Sequence, residues 1–336
     1  FRRLNARLNF VTELAPRVKL ENVLLYTNEQ RQTLPEFSIG SVLYNAINAY
    51  PTEGVFQQDG SYSYLGLVND IINPLAQMDN TFNDNVTNKI VGKQEITYDI
   101  NDDFTVTGRA GYNYAIYDGK FFSPLVYYGP GKAQNTALDA NLTPVGVEIA
   151  EGVEIPRLSS VTETRQTFLD YNFEAFVNYQ RVFNEVHNIK ATLGTSLFGT
   201  SNSVVDGTAF DIPYNSWDFA DISAADGNNL LNNTGSWQNR SRLMSIFLRT
   251  EYSYNAKYLA SLILRRDGSS NFGPNNRIGY FPTISAGWVI SEEDFFTPGF
   301  VDFAKLRASF GITGNDRIPL FAYRGLLEGE GVYIFN

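Results

Sequence analysis

One stretch, residues 278–290, restricts the fold of this chain more than any other. It reads IGYFPTISAGWVI and keeps a period of two without a break. Ile278, Tyr280, Pro282, Ile284, Ala286, Trp288 and Ile290 share one face, while Gly279, Phe281, Thr283, Ser285, Gly287 and Val289 share the other. The first face is apolar with an aromatic near each end; the second is mostly small or hydroxylated. A soluble sandwich strand has the same period but only about 5–6 residues. From Tyr280 to Trp288 the strand advances about 26 Å, and a tilt of about 40° leaves roughly 20 Å of height. That is close to the ~25 Å apolar band between the aromatic girdles of an outer-membrane barrel.

Composition agrees. Aromatic residues make up 14% of the chain, led by 25 Phe and 20 Tyr, yet mean hydropathy is only −0.22. A membrane barrel combines these values because alternate residues face water. The formal charge of −10 is the wrong sign for a general nucleic-acid binder. With no cysteine, disulfide frameworks and thiolate metal sites are excluded. A single histidine, His187, leaves no partner for zinc or triad chemistry. The P-loop, HExxH and GxSxG patterns are absent. No cofactor and no metal are expected. The chain opens on strand-like sequence, ends at Asn336 in loop-like sequence, and is read as a piece of a longer protein.

The same alternation recurs along the chain. Residues 1–12 and 18–26 form a first pair around Pro16. Strands resume near Asn88 and turn at Asn101-Asp102-Asp103. Residues 164–181 pair with 187–204, and 238–254 with 258–266 through Asn255-Ala256-Lys257. Residues 278–290 then pair with 303–313, for about ten strands in all. The segments 28–85, 119–161 and 206–235 lose the pattern and read as long loops, the first with a helix over 41–49. A tight corner is expected at Asp267-Gly268, and Ser291 is expected to cap a helical turn with Asp294 at the reciprocal position. Short turns therefore alternate with long loops, the asymmetry of an outer-membrane barrel. Such a sheet cannot stay open in hydrocarbon, where unpaired edge groups each cost several kcal/mol. The reading is an all-β, antiparallel transmembrane β-barrel of which residues 1–336 are a part.

The run Arg265-Arg266-Asp267-Gly268-Ser269-Ser270-Asn271-Phe272-Gly273, with Asn276-Arg277-Ile278-Gly279-Tyr280-Phe281-Pro282, resembles the barrel signature of the SusC/RagA family. So do Ser285-Ala286-Gly287-Trp288, Ile290-Ser291-Glu292-Glu293 and Leu306-Arg307-Ala308-Ser309-Phe310-Gly311-Ile312-Thr313-Gly314-Asn315. The match is dense over 259–315 and looser upstream, where Asn73-Pro74-Leu75 contributes. The family comprises TonB-dependent transporters of the outer membrane in Bacteroidetes-type bacteria. The resemblance implies a larger, 22-stranded plugged barrel, with the plug and remaining strands outside this chain. It also implies a SusD-like surface lipoprotein as lid, the TonB complex acting through the plug, outer-membrane lipid around the barrel, and an oligosaccharide or peptide as cargo.

For sites, Tyr214, Trp217 and Phe219, flanked by Asp211, Asp218 and Asp221, suit sugar rings, and packing against a neighbouring loop or the lid explains them equally. Arg265, Arg266 and Asp267 are read as pinning a tight loop. With Gly268, Gly279, Tyr280, Phe281, Pro282, Gly287, Trp288, Gly311, Gly314 and Asn315 they count as structural. Lys93, Glu95, Arg109, Asp170, Glu174, Arg249, Glu251, Lys305 and Arg307 are expected as a lumenal wall of paired charges. No catalytic residue is expected. A passive porin and a soluble β-rich carbohydrate-binding module are the rival readings; an upstream plug would exclude the first, and partition into outer membrane the second.

Overall fold

The computed structural model describes residues 1–34, 39–68, 70–130, 132, 159–214, 216–225, 227, 230–297 and 299–324, and the backbone of 148–150 and 153–155. The strands are β1 (Arg2–Ala15), β2 (Val18–Gln32), β3 (Phe82–Asp99), β4 (Phe104–Ser123), β5 (Glu148–Ala150), β6 (Val153–Ile155), β7 (Ser160–Phe183), β8 (His187–Phe210), β9 (Asn233–Tyr254), β10 (Tyr258–Ser269), β11 (Ile278–Val289) and β12 (Lys305–Gly311). Ten of them form one antiparallel sheet in the order β1-β2-β3-β4-β7-β8-β9-β10-β11-β12, while β5 and β6 make a separate short pair. Apart from the β5–β6 pair inserted between β4 and β7, every neighbour in the large sheet is a neighbour in sequence, the meander that a barrel requires. Among the described residues no helix is long and apolar enough to cross a membrane, which says nothing against crossing with strands.

Burial decides which face is which. Along β11, Ile278, Tyr280, Pro282, Ile284 and Ala286 are exposed, while Gly279, Phe281, Thr283 and Ser285 are half-buried. The apolar face is therefore the open one, with Tyr280 at 67% and Ile284 at 58%. Leu193, Phe173, Met244, Leu264 and Phe310 are exposed on the same surface. In water such a belt would be unstable; in lipid it is the expected exterior. The polar face is the shielded one, as when a sheet curls and crowds its concave side.

Short hairpin turns close one rim. Asn184-Glu185 and Asn255-Ala256 both have positive φ (47° and 63°, 46° and 55°), the geometry of the mirror-image turns that match strand twist. Aromatics gather there: His187 Nδ1 lies 2.8 Å from the Tyr252 hydroxyl, and Tyr254 stacks on Tyr258. Glu293 ties the girdle together. Its carboxylate accepts from the Tyr258 hydroxyl (2.6 Å), Trp288 Nε1 (2.9 Å) and Lys257 Nζ (3.2 Å).

The expected Ser291 cap does not form. Residues Ile290–Glu292 make a 3-10 turn without a side-chain cap bond, and the Ser291 hydroxyl is buried without a partner. A single turn leaves too few free N–H groups to need one, and Glu293 supplies the local order instead. The Tyr258 and Trp288 hydrogen bonds hold the Glu293 carboxyl below the usual carboxylate range. A depressed carboxyl contributes stability at neutral pH that disappears as pH falls through its folded-state pKa. Thermal melts of the whole protein should therefore lose stability on acidification, and Glu293→Gln should flatten that dependence. An unchanged pH profile in the variant would remove Glu293 from this role.

The strands reach farther than the alternation does. β2 ends at Gln32, β3 begins at Phe82, β4 ends at Ser123, β7 begins at Ser160, β8 ends at Phe210 and β9 begins at Asn233. The segments read as starting loops at 28, 119 and 206 are thus still paired. From Tyr98 to Phe82 a strand advances about 53 Å, or roughly 40 Å in height, against ~25 Å of apolar band. Above the membrane no lipid demands alternation, so the ladder continues where the pattern has stopped. The Asp267-Gly268 corner is likewise overturned: Asp267 pairs with Gly279 and Gly268 with Ile278, and the chain turns through 270–277 around a 3-10 turn at Pro274–Asn276.

Between β2 and β3 the loop forms a small unit with helices α1 (Val42–Asn48) and α2 (Pro74–Asp79). Ser41 caps α1 as its position before the helix requires, and Asn73 caps α2 with Pro74 in the first turn. Buried Asn45 donates to Gly40 O and Gln77 Oε1. Lys132, from the β4–β7 connection, donates to Leu65 O and Val68 O, and burial pulls its pKa down. Two neighbouring loops are thereby joined.

Candidate functional site

The concave face of the sheet is the candidate site, because it would line the interior of a closed barrel. Cross-strand register arranges its side chains in rungs. One rung carries Glu95, Arg109, Glu174, Ser196, Ser245 and Asp267. Here Arg109 bridges Glu95 (2.6 Å) and Glu174 (2.8 Å), and Lys93 adds Glu21 (2.9 Å). Asn113 donates to Asp170 (3.1 Å), and Arg249 pairs with Glu251. This is the wall of paired charges that the alternation predicted. Lys305 and Arg307 share this inward face on β12, the last strand of the sheet, where among the described residues their side chains make no ion pair.

The next rung runs Phe176, Gly194, Phe247, Arg265, Phe281. Three phenylalanines thus point inward, among them Phe281 on the face of β11 read as mostly small or hydroxylated. Their signal was the glycine beside them. A Cβ at Gly194 would lie 2.6 Å from both Phe176 Cβ and Phe247 Cζ. Phe281 covers Gly279 and Gly314 in the same way, at 2.6 and 2.3 Å. Two glycines of the signature thus make room for the signature's own ring.

Arg265 lies within β10 and not at a loop. It donates to the Asp267 carboxylate (2.8 Å) and to the buried Ser245 hydroxyl (2.8 Å). Arg266 takes the opposite face, opposite Tyr280. Asp267, Ser269, Arg277, Phe281, Thr283 and Asp316 help to line a cavity of about 530 Å³ near the long-loop rim. Gly287 and Trp288 sit at the lower end of β11, and Gly311 closes β12 beneath Thr283.

The loop carrying Tyr214, Trp217, Asp218 and Phe219 folds onto the convex face above the apolar belt. Phe122, Val161, Ala209, Ile212 and Ala220 are buried there, with Phe82 and Trp217 packed against them. By strand parity Phe82, Phe122, Val161 and Ala209 share the face of the lipid belt. The Trp217 ring stacks on Phe82 at 5.7 Å, and Lys120 Nζ lies 5.1 Å from its centre. Lys120 also pairs with Asp221 (2.7 Å). Tyr214 and Phe219 contact each other (5.2 Å) and stay exposed beside Asp218. Among the described residues no His, Asp and Glu grouping is placed to hold a metal ion.

No family model matches the chain. TonB-dependent receptor P26 of Formosa agariphila is 30% identical over 291 residues, which is 84% of this chain and 26% of that protein. TonB-dependent receptor SusC of Bacteroides thetaiotaomicron is 39% identical over 100 residues, 29% of this chain and 10% of that protein. The chain is thus similar to TonB-dependent receptors over most of its length, and to SusC over part of it. A solved structure of the RagAB peptide transporter superposes with a TM-score of 0.75 over 94% of this chain and 33% of its own, at 17% identity. That likeness shows the fold, a partial barrel of ten antiparallel strands. The SusC/RagA relatives are named receptors and transporters, not enzymes. The chain spans about a quarter of the length of P26.

Proposed function

We propose that the whole protein is an active importer of the bacterial outer membrane. It would take oligosaccharides or peptides through a plugged barrel, with TonB supplying energy through the plug and a SusD-like lipoprotein as lid. The observation that carries this reading is the inversion of the sheet, apolar outside and polar within, in a chain similar to TonB-dependent receptors. Residues 1–336 are proposed as part of the barrel domain, with plug, TonB-contacting segment and further strands in the remainder. Tyr214, Phe219 and Asp218 are proposed to meet cargo at the extracellular rim, since their rings and carboxylate are open; Trp217 is proposed to support them from beneath.

Uptake of labelled oligosaccharides and peptides by cells with and without the inner-membrane TonB complex tests the proposal. Uptake should stop without the complex. Undiminished uptake would leave a passive porin.

A further inference from the structure

Charges on the outward, lipid-side face are not spread evenly around the sheet. Above the apolar belt on β3, β4 and β7 both signs occur: Asp84 stands opposite Lys120, Lys120 opposite Glu163, and Asp118 opposite Arg165. Lys120 pairs with Asp221 (2.7 Å) and Arg165 with Asp118 (3.6 Å). On the outward face of β8–β12 every charged residue is an arginine: Arg240 and Arg242 on β9, and Arg266 on β10. Both strands are interior to the sheet, with a neighbour on each side, so the missing carboxylates are not those of an absent strand. Among the described residues these three side chains make no ion pair. Water accepts either sign at a surface, so solvation alone does not select three arginines and no acid.

Their height selects the sign. Counted along strands tilted by about 40° from the girdle at Tyr254 and Tyr258, Arg266 lies about 20 Å up, Arg242 about 30 Å and Arg240 about 35 Å. The apolar band spans ~25 Å, and the polar layer beyond it is about 5–8 Å thick. Arg266 is therefore at the upper edge of the band, Arg242 in the headgroup layer, and Arg240 at the outer side of that layer. The backbone that carries them is pinned. Arg242 N–H donates to Ser270 Oγ (2.8 Å), Ser270 N–H donates to Arg242 O (2.9 Å), and the Ser241 hydroxyl donates to Asn271 Oδ1 (2.8 Å). Gly268, opposite Met244, leaves the surface between Arg242 and Arg266 without a side chain; a Cβ there would meet only Met244 O, at 3.8 Å. On the other side the Tyr171 ring lies over Gly199, which stands opposite Arg242. Guanidinium forks beside an open spot, with a phenol at its border, suit a phosphate: it takes paired N–H bonds and keeps oxygens for a hydroxyl.

We propose that Arg240, Arg242 and Arg266 form an outward-facing site for the phosphate of an anionic lipid in the outer leaflet. Charge complementarity and depth both favour the headgroup as occupant, since basic residues at the membrane surface attract anionic lipid. The inference goes beyond the importer reading and rests only on the outward assignment of the belt. Lipid binding needs neither cargo nor energy coupling, so it fails or succeeds independently of the uptake experiment.

The test is native mass spectrometry of the full-length receptor in mild detergent, titrated with phosphatidylglycerol and with phosphatidylcholine of the same acyl chains. The anionic lipid should be retained at least about tenfold more strongly than the zwitterionic one. Arg240→Gln with Arg242→Gln should lower its retention by about tenfold or more, and the Arg→Lys pair should keep an intermediate level, because lysine preserves the charge without the fork. Should the double variant fail to insert, Arg266→Gln takes its place with a loss in the same direction. Excess inorganic phosphate should leave the lipid bound; displacement would mean an anion site open to water and not a headgroup site. Equal retention of the two lipids, or unchanged retention in the Gln variants, would overturn the proposal. A lower Tm in the Gln variants with retention intact would also overturn it, because the arginines would then serve carboxylates of the receptor's own chain.

Discussion

Ile284→Arg is expected to abolish most of the membrane-inserted, heat-modifiable form of the full-length protein, while Ser285→Asp is expected to leave it nearly unchanged. The two positions are adjacent in β11 and differ only in the face they take. Ile284 is open on the apolar surface, level with Leu262 on one side and Phe310 on the other. An arginine at the middle of the hydrocarbon costs about 2–4 kcal/mol in a membrane barrel, and an aspartate less. That is a large share of a typical folding free energy of about 5–15 kcal/mol. Ser285 faces the polar interior beside Ser261, where a carboxylate keeps water and hydroxyl partners. Folding yields in detergent or lipid vesicles give the comparison. Equal losses at both positions would mean that Ile284 does not face lipid, and the outward assignment of the whole belt would fail with it.

The existence of ten strands, their meander order and the side that meets lipid were all legible in the sequence, because lipid imposes a strict rule on alternate residues. β11 shows this most clearly: from Ile278 to Ala286 the assigned faces are those that burial separates. Legibility ended where lipid ends. Above the belt, residues such as Asp84, Asp118, Lys120 and Arg165 are polar on the outward face as well. Nothing local then distinguishes a paired strand from a loop, and the long ladders from Phe82 to Phe210 were underestimated. The helix α1 was readable through Ser41 and Pro51, since caps and breakers act locally. The Glu293 clamp was not, because its partners Tyr258 and Lys257 come from another hairpin. Nor was the burial of Trp217, whose partner Phe82 lies on a distant strand. For the candidate site, alternation gave the residues of the wall but not their pairing. It listed Glu95, Arg109 and Glu174 together, and only cross-strand register shows that Arg109 stands between the two carboxylates.

Gly194→Ala is expected to destabilise the barrel by about 1–3 kcal/mol, the usual cost of forcing a methyl group into a filled space. The added Cβ would lie 2.6 Å from Phe176 Cβ on β7 and equally close to Phe247 Cζ on β9. The second contact can be relieved by turning a ring, but the first cannot, since a Cβ moves only with its backbone. Both neighbours are in continuous ladders of β7–β8 and β8–β9, so the strain passes into the sheet. Removing the movable ring separates the two contributions. In the double variant with Phe247→Leu, part of the loss should return, whereas Phe247→Leu alone should cost stability by uncovering Gly194. The non-additivity is the diagnostic quantity, because contacting residues couple and distant ones do not. Gly108→Ala provides the reference: its Cβ would meet nothing within 4 Å, and β-strand glycine to alanine should there be neutral or stabilising. Thermal melts of the four variants against the parent decide the matter. If Gly194→Ala and Gly108→Ala behaved alike, the phenylalanine pair would not be packed over a bare backbone, and the inward aromatic rung would have to be redrawn.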